Sequence, residues 1–316
     1  SDVYKRQAEF LASVENCRAV KMGLVAQVAQ SYFELMALDN ELAIVRRTLE
    51  ARREGVRLAE IRFKGGLTSE IVFQQAKVEL AKTATMVPDL ERRISLKESE
   101  IALLTGDFPY AVNRNVLPEE IQLPDALPLG LPSTLLERRP DIRKAERELM
   151  AAHAEVGLAY TNMFPRLALT ATLGAESETL RDLLKSPYSY LAGNLLSPLF
   201  AMGKNRAALK AKRAAYEGAV AEYEKTVLTA FKETHDAIIN FNKIKDIYES
   251  RRQLAEASRT AVELAQLQYI NGVIGYLDLL DAQRNYFDAQ VSLSNAVCDK
   301  QLMIINLYKA LGGGWK

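Results

Sequence analysis

Cysteine is almost absent from this 316-residue chain. Cys17 and Cys298 are too few and too far apart in sequence for a disulfide framework or a zinc site, and both read as buried or half-buried thiols on helices. Long apolar runs are also missing. None approaches the roughly 18–20 residues that a membrane-crossing helix requires. There is no excess charge of one sign. The 41 basic and 40 acidic residues are mixed along the chain, so nothing resembles a nucleic-acid footprint. Glycine and proline are sparse, which excludes a disordered chain. The two histidines, His153 and His235, stand apart and read as structural. No paired His/Cys spacing, nucleophile–base arrangement or phosphate loop occurs, so no catalytic residue, cofactor or metal is assigned. No signal peptide is recognisable. Ser1–Gln7 does not continue the helical pattern that begins near Ala8, and it reads as a junction outside the fold.

What is present is a sustained period of seven. Val28, Leu35, Leu42, Leu49, Val56 and Phe63 recur at that spacing, with Leu38, Val45 and Ala59 three residues on. Such a line makes a coiled-coil-like seam and predicts one helix over Ala8–Arg62. Lys64-Gly65-Gly66 stops it, and Thr68 or Ser69 is placed to cap the next helix, Glu70–Leu104. That helix repeats the period with Phe73, Leu80, Val87, Ile94 and Ile101. Pro88 predicts a kink within it. Asp107–Pro132 holds five of the ten prolines and reads as an extended linker. Ser133 is a candidate N-cap, and Pro140 suits the first turn of a helix over Asp141–Asn162.

At Pro165 the period changes to two. Over Arg166–Gly174, Leu167, Leu169, Ala171 and Leu173 alternate with Ala168, Thr170, Thr172 and Gly174. This pattern suits a membrane β-barrel strand, and equally an ordinary half-buried strand. A second, weaker strand spans Tyr188–Leu199, with Tyr188 and Tyr190 as candidates for a membrane interface and Pro198 closing it. Long helices then resume over Lys204–Gln268 and Tyr276–Ala310.

The two helical hairpins are copies of each other. A shift of 206 residues lays Gly66 on Gly272, Phe63 on Tyr269 and Gly106 on Gly312. Seven of fourteen residues agree between Arg46–Ala59 and Arg252–Ala265, and the shared glycine turns make the repeat persuasive. Residues 8–106 are thus read as an incomplete first repeat and 107–312 as a second. A first repeat matching the second would begin well before Ser1, so the chain reads as a C-terminal fragment. The turns differ in charge. Asp278 and Asp281 sit at the second, where the first has Val72 and Gln75. Leu277 and Asp281 are four apart, on one helical face, and Arg284 follows three later. That face points largely away from the seam of Leu279, Ala282, Tyr286 and Leu293.

LPSTLLERRPDIRKAE (131–146), FPRLALTATLG (164–174), SPLFAMGKNRA (197–207), YLDLLDAQR (276–284) and LYKALGGGW (307–315) resemble the TolC/OprM-like outer-membrane factors, in the NodT-type lipoprotein branch. The resemblance covers Ala8–Lys316 in order. It implies a homotrimer whose protomers each give four strands to one membrane β-barrel and their long helices to one periplasmic α-barrel. It implies an outer-membrane location with a lipid anchor, and partnership with a periplasmic adaptor and an inner-membrane pump. By this resemblance Leu277, Asp278, Asp281 and Arg284 lie at the pore constriction. Gly65, Gly66, Asn271 and Gly272 mark adaptor-docking tips, and Leu167, Leu169, Leu173, Tyr188 and Tyr190 belong to membrane strands. Half of the family's strands and its lipid-bearing cysteine are not in this chain, since Cys17 lies in a helical VENCR. The expected fold class is mostly α with a small β part: antiparallel helical hairpins plus a β-hairpin. The expected function is an efflux duct; the alternative is a soluble coiled-coil scaffold or adaptor.

Overall fold

The structure, a computed structural model, describes residues 2–114, 136–176, 187–196 and 202–313. Among the described residues the order is α1 (Asp2–Lys64), α2 (Glu70–Thr105), α3 (Pro140–Thr161), β1 (Arg166–Ala175), β2 (Pro187–Leu196), α4 (Met202–Ile270) and α5 (Tyr276–Ala310). The fold is mostly α, with one small antiparallel sheet. No described helix is long and apolar enough to cross a membrane. Most of the proline-rich linker, Ser133, Pro198 and Trp315 lie outside the described residues.

Helix α1 starts at Asp2, which corrects the reading of Ser1–Gln7 as a junction. Val3 and Tyr4 are exposed, so the seam does not reach them and the period gave no sign of helix. Two contacts hold the first turns instead: Arg6 pairs with Asp2 one turn back at 3.1 Å, and Lys5 reaches Glu155 of α3 at 2.5 Å.

The chain divides into two compact units that do not follow the repeat boundary. The first comprises Ser1–Cys17 and Pro140–Thr229. Here Glu155 is shared by Lys5 and Lys212, Arg143 holds the buried Glu15 at 2.8 Å, and His153 packs on the Tyr216 ring. Pro140 is the first residue of α3, where its missing N–H costs nothing.

In the same unit β1 and β2 pair over ten residues, Arg166 opposite Leu196 through Ala175 opposite Pro187. Residues paired across strands share a face. One face therefore carries Leu167, Leu169, Leu173, Leu191 and Leu195, all between 67% and 85% exposed. The other carries Thr170, Thr172, Asn194, Tyr188 and Tyr190. The tyrosines are therefore on the polar face, opposite the leucines. Tyr188 lies over Gly174, where a Cβ would come within 2.8 Å of the ring, so a larger residue there would displace the tyrosine.

The second unit, Arg18–Arg139 with Ala230–Lys316, contains both hairpin turns. Helices α1 and α2 run antiparallel: Ser31 donates to Glu100, Lys97 pairs with Glu34, Arg46 with Glu91, and Phe63 stacks on Phe73. Helices α4 and α5 do likewise, with Arg251 against Asp299 and Thr234 Oγ1 donating to the Ala310 carbonyl. Helix α5 also lies antiparallel to α1, through Gln30–Asn306 and Asn40–Ser294. Leu35, Leu38, Leu42 and Val45 join Leu90, Ile94 and Ile101 in one core. Each fully buried side chain such as Leu35 contributes about 1.5–3 kcal/mol.

On α1, Leu35, Leu42 and Leu49 of the seam are buried and Val28, Val56 and Phe63 half-buried; on α2, Ile94 and Ile101 of the line as read are buried, and a further buried line lies three residues on. Ala76, Thr83 and Leu90 are buried, while Phe73, Leu80 and Val87 are half-buried. Helix α2 passes unbroken through Pro88. Cys298 is buried, whereas Cys17 is exposed rather than half-covered. Burial, then the nearby Asp299 and Glu34 charges, push the Cys298 thiol up to about 11.

Candidate functional site

The second hairpin turn is built by its own sequence. Helix α4 ends because Gly272 takes φ +73°, which only glycine adopts cheaply. The Gly272 N–H then reaches Tyr269 O (3.1 Å) and that of Val273 reaches Gln268 O (2.9 Å). This double bond satisfies carbonyls that the helix end would orphan. Asn271 adds its Nδ2 to Leu267 O at 2.9 Å. The first turn repeats the geometry: Gly66 at φ +70° donates to Phe63 O (3.0 Å), and Leu67 to Arg62 O (2.8 Å). Gly65, Gly66, Asn271 and Gly272 are thus turn-formers in this geometry. The Arg62 guanidinium lies 4.7 Å from the centre of the Tyr269 ring and ties one turn to the other.

Asp278 is engaged at the start of α5. Its Oδ2 accepts from the Gly275 N–H at 3.0 Å, satisfying a donor at the helix N-terminus. Leu277 and Asp281 are exposed. Of the seam read for α5, Leu279 is buried and Ala282, Tyr286 and Leu293 are half-buried.

Arg284 is the hub. It reaches Asp281 at 3.5 Å, but its closer contact is Glu79 of α2, with Nη2 to Oε1 at 2.5 Å. Glu79 is buried and is also held by Arg52 of α1, whose Nη1 donates to its carboxylate and, at 2.9 Å, to its backbone carbonyl. Three helices thus meet on one carboxylate. Burial pushes the Glu79 carboxyl up, but hydrogen bonds from Arg284 and then Arg52 outweigh it and hold it below its ordinary value. The bond to Glu79 is also the main cause that raises Arg284.

Sequence reading found Arg284 and missed Glu79, its deeper partner, and Arg52, which holds the same carboxylate. A signal existed. The 206-residue shift lays Arg52 on Ser258, Glu79 on Asn285 and Arg284 on Val78, so each member of this network is charged in one copy only.

The sequence profile of the outer membrane efflux protein family matches residues 1–107 and 131–313. The chain belongs to that family. Among relatives in the outer membrane efflux protein family, the outer membrane protein OprJ of Pseudomonas aeruginosa is 35% identical over 97% of this chain. The toluene efflux pump outer membrane protein TtgI of Pseudomonas putida is 34% identical over the same share. The chain spans about two thirds of these relatives, 65% of OprJ and 66% of TtgI. Of solved structures, the outer-membrane channel OprN superposes with a TM-score of 0.89 at 30% identity, covering 99% of this chain and 71% of that one. The MtrE outer membrane channel of Neisseria gonorrhoeae gives 0.85 at 28% identity, with the same two coverages. Long helical hairpins with a small antiparallel sheet are thus the architecture shared with these channels.

Proposed function

We propose that this chain is part of the outer-membrane duct of a tripartite efflux pump. In this reading three copies close a β-barrel in the outer membrane and an α-barrel in the periplasm. An adaptor and an inner-membrane pump complete the machine. The observation that carries the reading is the sheet. Five exposed leucines cover one face; the other carries threonine, asparagine and tyrosine, with Leu196 beside Arg166 at its end, and among the described residues both edges are open. Such a sheet is an aggregation hazard in water. In lipid its edges must be paired by further strands and its leucines turned outward. The tyrosines then face the lumen, not the lipid interface.

The repeat supports the same reading. Among the described residues Gly66, Gly106, Gly272 and Gly312 are the glycines with positive φ, in two pairs offset identically, as expected of one hairpin used twice round a tube. We place the periplasmic constriction at Leu277, Asp278, Asp281 and Arg284, and adaptor docking at the turns of Gly65, Gly66, Asn271 and Gly272. Asp281, exposed and held only by the 3.5 Å contact to Arg284, is the carboxylate we turn toward the axis, because Asp278 caps its own helix. The cargo is a solute taken from the periplasm. Relatives named for toluene and for cations share the family, so cargo choice rests with the partners.

The test is conductance in a planar bilayer, with protein expressed from its intact gene. Parent protein conducts. Leu169→Lys, at about 2–4 kcal/mol per copy at mid-membrane, prevents insertion, while Thr170→Lys on the opposite face inserts and alters ion selectivity. If Leu169→Lys inserts as readily as the parent, the leucine face does not meet lipid and the duct reading fails.

A further inference from the structure

The end of the sheet where α3 leads in and α4 leads out is strongly basic, in a chain whose net charge is only +1. Residues 156–175 and 187–216 hold Arg166, Lys204, Arg206, Lys210, Lys212 and Arg213 and not one Asp or Glu. Of these six, Lys212 alone has a carboxylate partner among the described residues, and that partner, Glu155, also holds Lys5. The other five are exposed. Further along α4 the exposed lysines are balanced within a turn: Lys225 by Glu222, Lys232 by Asp236 and Lys243 by Asp246. A surplus confined to one end of the sheet is therefore not the ordinary solvated face of this helix.

The cations are fixed beside the strands. Asn162, in the turn between α3 and β1, accepts from Arg166 on its side chain and from Asn205 Nδ2 on its carbonyl, the latter at 3.0 Å. These two bonds hold the first turn of α4 against the start of β1. Arg206, Lys210 and Arg213 follow at spacings of four and three, so they share one face of α4 over about 10 Å of helix. Two rings lie at the same end. Tyr160 and Phe164 meet edge-on with centroids 5.2 Å apart, and each remains about half exposed. The apolar face begins at once beyond them, since Leu167 and Leu195 are the next pair after Arg166 and Leu196. Leucines, then aromatic rings, then basic side chains is the order in which a membrane gives way to water.

We infer that this end of the sheet docks on a bilayer surface rich in acidic phospholipid, with Arg166, Lys204, Arg206, Lys210 and Arg213 on the headgroup phosphates. Charge complementarity selects the headgroup, and continuity with the leucine face sets the surface. The inference rests on the duct reading, in which those leucines meet lipid. The collar then fixes the depth of insertion: the strands enter the hydrocarbon and α4 stops at the headgroups.

The test uses protein from the intact gene in phosphatidylcholine vesicles with a trace of spin-labelled lipid, either phosphatidylglycerol or phosphatidylcholine. Electron spin resonance reads the share of label immobilised on the protein. The parent should hold the acidic label at least about fivefold more strongly than the zwitterionic one, the worth of about one basic contact. In about 1 M salt that preference should fall at least by half. The triple change Lys204→Gln, Arg206→Gln and Lys210→Gln should bring it close to parity. The control changes Lys225→Gln, Lys232→Gln and Lys243→Gln, equal in charge but further along α4, should leave it at the parent value. Conductance of the same vesicles separates the two readings. A parent that does not conduct removes the duct reading and this inference with it. A conducting parent that holds both labels equally overturns this inference alone. So does a preference that survives the triple change, or one lost equally in the control. Displacement of the label by soluble glycerol 3-phosphate would also overturn it, since the site would then take free phosphate rather than a bilayer.

Discussion

Glu79 shows how far one residue can depart from its local pattern. By period it belongs to a buried line of small and apolar residues on α2, yet it is a carboxylate serving arginines on two other helices. Breaking a buried pair by removing one partner is costly because the other charge is stranded. Arg52 is the partner stranded here, whereas Arg284 is 44% exposed and can turn to water. Glu79→Ala should therefore cost about 3 kcal/mol, the lower end for a buried pair, measured by denaturant unfolding. The pH dependence has a definite sign. The folded carboxyl titrates below its ordinary 4.5, so its contribution is complete above that value and lost as pH falls further toward the folded pKa. Unfolding midpoints of parent and Glu79→Gln should thus converge below pH 4.5. The turn glycines separate strain from crowding. Gly66 and Gly312 both have positive φ, but a Cβ meets open space at Gly66 and the Arg138 carbonyl at 3.0 Å at Gly312. Gly66→Ala should cost about 1–2 kcal/mol, and Gly312→Ala should melt at a lower temperature than Gly66→Ala. The four turn residues were legible in sequence because glycine has few other reasons to recur at a fixed offset. Glu79 and Arg52 were not, because a charge inside a helical pattern reads as surface.

At the scale of elements, boundaries came through well where caps are chemical. Helix α5 runs over Tyr276–Ala310 as read, set by the Gly275 cap before it and Gly312 after it. The start of α1 did not come through, because Asp2–Gln7 is held by pairs with Arg6 and Glu155 rather than by a seam. On α2 the large apolar line was legible but its small buried neighbours were not, since a search for large apolar residues passes over Ala76, Thr83 and Ala102. These small residues let neighbouring helices approach, and they give the line a testable signature. Ala102 is 0% exposed while the adjacent Leu103 is 78% exposed. Ala102→Leu should destabilise the chain by about 1–3 kcal/mol through overpacking. Leu103→Ala should stay within about 0.5 kcal/mol of the parent. Denaturant midpoints decide it. Equal effects at the two positions would mean that the helices pack on another face. The sheet had the opposite history. Its alternation was plain, but only the register reveals that Tyr188 and Tyr190 share a face with Thr170 and Thr172. A strand's sequence gives its two faces, and pairing decides which faces of two strands coincide.

For the whole molecule, the open question is what holds the proposed duct shut. Sequence set Asp281 and Arg284 three residues apart, and the family resemblance put both at the constriction. In the structure Arg284 spends its closer contact on Glu79, inside its own chain, and Asp281 takes the longer one at 3.5 Å. An exposed pair such as Asp281–Arg284 contributes roughly 0–1 kcal/mol, too little to fix a tip on its own. The Glu79 contact is partly buried and links the second hairpin to the first, so it is the stronger restraint on movement of one hairpin past the other. Two arrangements then predict different conductances for protein from the intact gene in a planar bilayer. If the restraint is internal, Arg284→Ala and Glu79→Gln should both raise the open conductance. If Arg284 instead locks neighbouring protomers, Arg284→Ala should raise it and Glu79→Gln should leave it at the parent value. Asp281→Ala should reduce cation selectivity in either case, because three exposed carboxylates round one axis favour cations by their field alone. Parent-like conductance and selectivity in all three variants would remove these residues from the gate. The cluster would then be only a brace between hairpins, and the constriction would lie elsewhere along the tube.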